Sequence, residues 1–215
     1  MRIILASQSP RRKFLLEQMG LEFEQIPSKF EEYFDDTRPV EEVVKELGLG
    51  KALDVAQTLS RSLLDSDEVV VIGSDLIVVI DGKQIGKPQS EEEAKQMLRN
   101  ISNRTHQLIC SVAVVCLDKK YQKVEVETAE VTFDSIPESV IDEYVATGST
   151  HDKAGGYAIQ HPLMKPLIRE IKGRLDTIIG LPTTVVAKFL NELDIDCKSL
   201  DKADQELLGN AGFVK

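Results

Sequence analysis

Val69-Val70-Val71-Ile72-Gly73-Ser74-Asp75-Leu76-Ile77-Val78-Val79-Ile80-Asp81-Gly82-Lys83-Gln84-Ile85 is the stretch on which the fold of this chain turns. Residues 69–72 are a continuous β-branched run, the pattern of a strand buried on both faces. Residues 76–80 predict a second such strand, with a glycine turn between the two at Gly73. Asp81-Gly82 is a hairpin signal that returns the chain into Gln84-Ile85. Ser90 and Glu93 then form a capping box, which opens a helix through Met97 and Leu98.

Working outward, residues 2–6 are a short apolar run that predicts a buried strand. Ser9-Pro10 supplies an N-cap followed by proline at the first helical position. That helix runs through Phe14, Leu15, Leu16 and Met19 and stops at Gly20. Residues 21–26 predict another strand, and residues 31–37 are acidic and irregular. Val40, Val43, Val44 and Leu47 follow a helical period, which Gly48 and Gly50 are expected to interrupt before it resumes over residues 51–60. Downstream, residues 107–117 and 124–133 predict a hairpin of two long strands. A helix follows from Ser135-Pro137-Glu138 to near Gly148, then a strand over 166–171 and a helix over 183–193. Mixed helices and strands, with both hairpins and helical crossovers, predict an α/β or α+β fold around a mixed sheet. One domain over residues 1–195 is expected, with 196–215 as a polar tail that frays.

The 215 residues suffice for a sizeable core. A formal net charge of -10 argues against binding long nucleic acid, which needs a basic face, but leaves room for a small phosphorylated ligand. Cys110, Cys116 and Cys197 form no metal-binding spacing, and Cys110 and Cys116 are too far apart along one strand for a disulfide. Reduced thiols in the cytoplasm are the expectation. The N-terminal apolar run is too short for a signal peptide or a membrane span. His106, His151 and His161 match no zinc pattern.

Two places carry the chemistry. In Ser7-Gln8-Ser9-Pro10-Arg11-Arg12 a strand enters a polar turn and then a helix N-terminus, which favours anions. Ser7 and Ser9 add hydroxyls, and Arg11 and Arg12 add forked donors that match phosphate. The same residues also make an ordinary capped helix with two solvated arginines. Asp75 follows an apolar strand, where a carboxylate is held rigidly enough for a general base or metal ligand; an ordinary turn aspartate reads the same way. Lys51, Lys87 and Lys153 are lone cations in or beside glycine-containing loops, equally at home on a surface. Glu31 and Glu32 could take a hard cation or simply face solvent. The Rossmann and P-loop glycine spacings are not met.

These fragments occur in a specific order. Leu5-Ala6-Ser7-Gln8-Ser9-Pro10-Arg11-Arg12 resembles the opening motif of Maf-family nucleotide pyrophosphatases, and Ile72-Gly73-Ser74-Asp75 their central Gly-Ala-Asp-Thr segment. Gly86-Lys87-Pro88, Thr105-His106, Tyr144, Gly148, Asp152-Lys153-Ala154-Gly155, Tyr157-Ala158-Ile159-Gln160 and Gly180-Leu181-Pro182 follow at similar spacing. The resemblance covers roughly residues 1–195. It implies a two-lobed α/β fold with an elongated mixed sheet and a central cleft. It also implies hydrolysis of a nucleoside triphosphate between the α- and β-phosphates, with Mg²⁺ or Mn²⁺ as cofactor, and suggests a homodimer. By position, Asp75 matches the proton acceptor that activates water. Arg11, Arg12, Lys51 and Lys87 match phosphate-contacting cations, and Glu32 an acidic site residue that joins Asp75 at the metal. Arg11, Leu76 and Gln160 match positions linked to substrate choice. The double arginine and the Asp-Lys-Ala-Gly…Gln segment resemble the branch acting on dTTP and UTP. Leu76 in place of Thr, Ser149 in place of Glu, His161-Pro162 and Asn103 depart from the pattern. Another base preference, such as 7-methyl-GTP, and a nucleotide-binding cell-division regulator with little turnover are the alternatives; the intact Asp75, Lys87 and Arg11 favour an enzyme.

Overall fold

A computed structural model describes residues 1–62 and 68–208. Among these, seven strands form one mixed sheet. Strand β1 (Arg2–Leu5) lies parallel to β2 (Glu24–Gln25) and, on its other side, to β3 (Val69–Ile80). A short strand, β4 (Lys83–Ile85), folds back along the end of β3. Asp81 and Gly82 between them both have positive φ, 53° and 76°, the two-residue turn that an Asp-Gly pair favours. The far side of β3 pairs antiparallel with β5 (Thr105–Cys116), then come β6 (Tyr121–Phe133) and β7 (Ile168–Lys172).

Helices cover both faces. Helix α1 (Pro10–Gln18) starts at the expected cap, with the Ser9 hydroxyl accepting from the Arg12 N–H. Helix α2 (Val40–Ser62) lies against one face, where Val69, Val71, Ile77 and Val79 of β3 meet Val43, Val44, Leu47, Ala52 and Val55. The alternate residues Val70, Ile72, Val78 and Ile80 point into the larger core on the opposite face. That core is closed by α1, α3 (Glu91–Ile101), α4 (Glu138–Ala146), α5 (Leu175–Ile179), α6 (Thr183–Asn191) and α7 (Lys202–Leu208). Ser90 caps α3 as the capping box predicts, accepting from the Glu93 N–H at 3.1 Å, while the Glu93 carboxylate accepts from Gln89 N–H at 2.7 Å.

Four sequence expectations fail for one physical reason or another. The turn expected at Gly73 is absent, and β3 runs unbroken for 12 residues. The interruption expected at Gly48 and Gly50 is absent as well, and α2 is one helix of 23 residues. The glycines serve close approach instead. A Cβ on Gly73 would lie 2.3 Å from the Gly48 carbonyl oxygen and 2.8 Å from the Ala52 nitrogen, and one on Gly48 would lie 2.3 Å from the Ser111 hydroxyl. Helix and sheet backbones touch here, and only glycine fits between them. The strand expected over residues 21–26 shrinks to Glu24–Gln25, which reach only the end of β1. The strand expected over 166–171 starts later, at Ile168, because Lys165–Leu167 form a 3-10 turn. Leu200 and Leu208 are buried in the main core, and residues 209–215 of the expected tail lie outside the described residues.

Gly73→Ala therefore destabilises the protein by about 1–3 kcal/mol through overpacking. Urea unfolding checks this, and an unchanged midpoint would show that α2 slides away from the sheet at no cost.

One feature of the sheet positions the site. β1 pairs with β3 only as far as Ile72, and β4 pairs only from Val78. Between them, among the described residues, Gly73 to Ile77 have a strand neighbour on the β5 side alone. The gap in the sheet edge exposes side chains from both faces of β3 to one space, just beyond the carboxyl end of β1, where ligands of open α/β sheets commonly bind.

Candidate active site

The gap opens into a cavity of about 400 Å³, within the usual range for small-ligand pockets. The structure gathers eleven of the residues singled out in the sequence around it: Ser7, Ser9, Arg11 and Arg12 from the β1–α1 corner, Asp75 and Leu76 from the gap in β3, and Glu32, Lys51, Lys87, Lys153 and Gln160 from the surrounding elements, while Glu31 is exposed and outside the lining.

The β1–α1 corner is organised by its own side chains. The Ser7 hydroxyl accepts from Ser9 N–H at 3.1 Å and from Arg12 at 3.2 Å. The Arg12 Nε also donates to the Gly180 carbonyl at 2.8 Å, and its Nη2 stands 3.8 Å from Asp75 Oδ1. The arginine is thus a fixed fork and no solvated helix residue, with only 12% of its side chain exposed. Gly180 holds a strand residue as well, since its carbonyl also accepts from the Ser74 hydroxyl at 2.8 Å.

Asp75 is buried at the floor of the gap. Its Oδ1 accepts from Leu76 N–H at 3.0 Å and lies 3.1 Å from Lys51 Nζ. Lys51 projects from the middle of α2 and bridges to Glu32, 2.7 Å from its Oε1. Glu32 also meets Lys87 Nζ at 3.0 Å. Burial alone would raise the Glu32 carboxyl, but Lys51 and Lys87 outweigh it and hold the pKa at about 2. On the opposite rim, Asp152 pairs with Arg11 at 2.7 Å and with the neighbouring Lys153. Burial opposes ionisation of Asp152, yet Lys153 and Arg11 still bring its pKa below the usual carboxylate value. Burial pulls the Lys153 ammonium down, against the pull of Asp152.

Five cations and three carboxylates line the cleft, a formal local charge of +2 in a chain of net -10. Such a local excess of cations draws a polyanion to the cleft. The lining also carries apolar side chains, Leu76, Leu108, Tyr157, Ile159 and Ile178. Gln160 sits among these with 7% exposure, and its Nε2 has no hydrogen-bond partner among the described residues. A buried amide left unpaired is costly unless a ligand completes it. Sequence reasoning missed Asp152, the Gly180 carbonyl and, apart from Leu76, the apolar wall as parts of this site. Asp152 stands beside Lys153 in a glycine loop, and Gly180 opens the closing Gly-Leu-Pro motif, so both lay within motifs already singled out. The wall comes from four separate segments and leaves no local signal.

No cluster of three or more His, Cys, Asp or Glu is placed to hold a metal among the described residues. No helix among them is long and apolar enough to cross a membrane.

Fold and cleft together define a small-molecule pocket in an α/β protein, lined by cations that suit a polyanionic group and by apolar side chains that suit an apolar one. A family model described as Maf-like protein matches residues 2–193, and the chain belongs to the Maf family. It is 43% identical over 192 residues to a dTTP/UTP pyrophosphatase of Thermotoga maritima, covering 89% of each chain. It is 40% identical to the dTTP/UTP pyrophosphatase of Halalkalibacterium halodurans, over 87% of this chain and 94% of that one. The Bacillus thuringiensis protein of the same description is 38% identical, over 91% and 97%.

Proposed function

We propose that this chain hydrolyses dTTP and UTP between the α- and β-phosphates, releasing the monophosphate and pyrophosphate. The observation that carries this reading is Asp75, a single buried carboxylate tethered by Lys51 among the cations of the cleft, with the unpaired Gln160 Nε2 belonging to the lining of the same cavity. The triphosphate lies among Arg11, Arg12, Lys51, Lys87 and Lys153, and the base against the apolar wall.

Asp75 supplies the base. Its Oδ1 carries the contacts to Leu76 N–H, Lys51 and Arg12, which fixes the carboxylate plane; Oδ2 carries none of them and takes the proton of the attacking water. Arg12 and Lys51 stand beside the reacting phosphate, where they offset the charge that develops on its oxygens. Glu32 and Asp152 occupy Lys51, Lys87, Arg11 and Lys153 until the triphosphate displaces them.

The donor set also suits a divalent cation. Glu32 and Asp75 both reach Lys51 Nζ, so two carboxylates face one small space. Mg²⁺ or Mn²⁺ bound to one or two carboxylates and to substrate phosphates needs no more protein ligands than these. When bound, the cation polarises a phosphoryl oxygen and makes the water more acidic. The three cysteines are buried and free, which suits the cytoplasm.

Gln160 reads the base. An amide offers donors and an acceptor to the carbonyl and N–H edge of uracil or thymine, and a site built for that match rejects a base lacking it. Leu76 puts an apolar side chain in the same lining, so a base with a methyl substituent is favoured. A panel of UTP, dTTP, 5-methyl-UTP, ATP, GTP and 7-methyl-GTP, scored by pyrophosphate release, tests the reading. UTP and dTTP outpace the purines on this account, and equal rates across the panel would sink it. Gln160→Ala narrows the gap between UTP and ATP by about tenfold, the worth of one matched hydrogen bond, and an unchanged gap removes Gln160 from base readout.

A further inference from the structure

Residues 149–161 form one rim of the cleft. They carry Asp152 and Lys153 near one end and Gln160 near the other. The middle is hooked to the Lys87 loop, with Gly155 N–H donating to the Gly86 carbonyl at 2.9 Å. Both ends converge on a side chain outside the cleft lining. Tyr144, on α4, is fully buried. Its hydroxyl donates to the Ser149 carbonyl at 3.4 Å and accepts from Ala158 N–H at 3.0 Å. Its ring takes the His161 ring edge-on, with centroids 4.6 Å apart. Gln160 lies between Ala158 and His161, so the tyrosine holds the chain on both sides of the unpaired amide.

We propose that Tyr144 is a positioning residue that sets the Gln160 amide for base readout, acting through its hydroxyl; the inference rests on the reading of Gln160 given above. The physical need is plain. The Gln160 Nε2 has no hydrogen-bond partner among the described residues to fix it, and a recognition group must be held to about 0.5 Å by its supporting shell. The neighbouring backbone supplies that shell. Without the hydroxyl, the Ala158 N–H and the Ser149 carbonyl lose their shared partner, and the segment shifts to find others. The pairing geometry with a pyrimidine edge is then lost, while Arg11, Arg12, Lys51 and Lys87 stay in place on other elements; Lys153 shares the segment, and any loss through it falls on UTP and ATP alike.

Tyr144→Phe removes one oxygen and keeps the ring against His161. The test compares kcat/KM for UTP and ATP in the parent, Tyr144→Phe, Gln160→Ala and the double variant. Tyr144→Phe is expected to narrow the UTP-to-ATP ratio by about three- to tenfold, the worth of one hydrogen bond. In the Gln160→Ala background the same change narrows the ratio no further, because both act through one amide. A merely structural role would lower both substrates together along with the melting temperature and leave the ratio intact. If Gln160→Ala itself leaves the ratio unchanged, the base-reading assignment fails, and this proposal with it. If Gln160→Ala collapses the ratio while Tyr144→Phe preserves it, or if the two effects add, the positioning role alone is overturned. Amide exchange at Ala158 in the unaltered protein is a second measure that needs no variant. Protection is expected, and rapid exchange would overturn the bond to Tyr144.

Discussion

Asp75→Asn lowers the turnover of UTP by about two to four orders of magnitude and leaves the nucleotide bound. The asymmetry follows from the geometry. Asparagine keeps the shape of the side chain and the contact to Leu76 N–H, so the β3 gap keeps its form. It can neither accept the proton of the attacking water nor balance the Lys51 ammonium 3.1 Å away. Lys51 then has more charge to offer the triphosphate, and the dissociation constant stays level or falls. Single-turnover hydrolysis alongside calorimetric titration with UTP separates the two quantities. Near-parental turnover in this variant would take Asp75 out of the mechanism, and lost binding with it would mean that the carboxylate holds structure.

Arg12→Ala lowers kcat/KM by about 10- to 100-fold, since a hydrogen bond from a charged donor contributes about 1.5–3 kcal/mol where it is desolvated. Arg12→Lys recovers only part of the loss. The reason is visible in the contacts. Arg12 spends Nε on the Gly180 carbonyl and one terminal nitrogen on the Ser7 hydroxyl, and so aims the other at the cleft beside Asp75. A lysine ammonium is a point charge on a flexible stem and cannot make the two anchoring bonds and face a phosphate together. A lysine variant as active as the parent would show that only charge matters at this place.

Much of this was legible in the sequence, and the limits have physical causes. Local rules worked where a segment satisfies its own needs. Ser9 caps α1, Ser90 caps α3, and Asp81-Gly82 turns the hairpin, each by bonds or dihedrals within a few residues. They failed where a distant backbone decides. Gly73 and Gly48 look like chain breakers from sequence, yet each is a point of contact between α2 and β3. Helix α5 has only five residues, too few to show a period. It is held by Asp176, fully buried and bonded to Arg174 and Thr183, a network with no local signature. At the site, residue types and order were enough to nominate the cations and Asp75. Which carboxylate each cation meets was hidden, because Lys51 reaches Glu32 and Asp75 from a helix 19 and 24 residues away in sequence.

The bond that breaks is the central claim, and the products report it directly. Purified protein is incubated with UTP and Mg²⁺, and the products are separated by anion-exchange chromatography. The account predicts UMP and pyrophosphate in equal amounts, with no UDP at any time point. UDP with orthophosphate would contradict it, because the water would then have attacked the terminal phosphate and the arrangement of Asp75 among the cations would serve a different reaction.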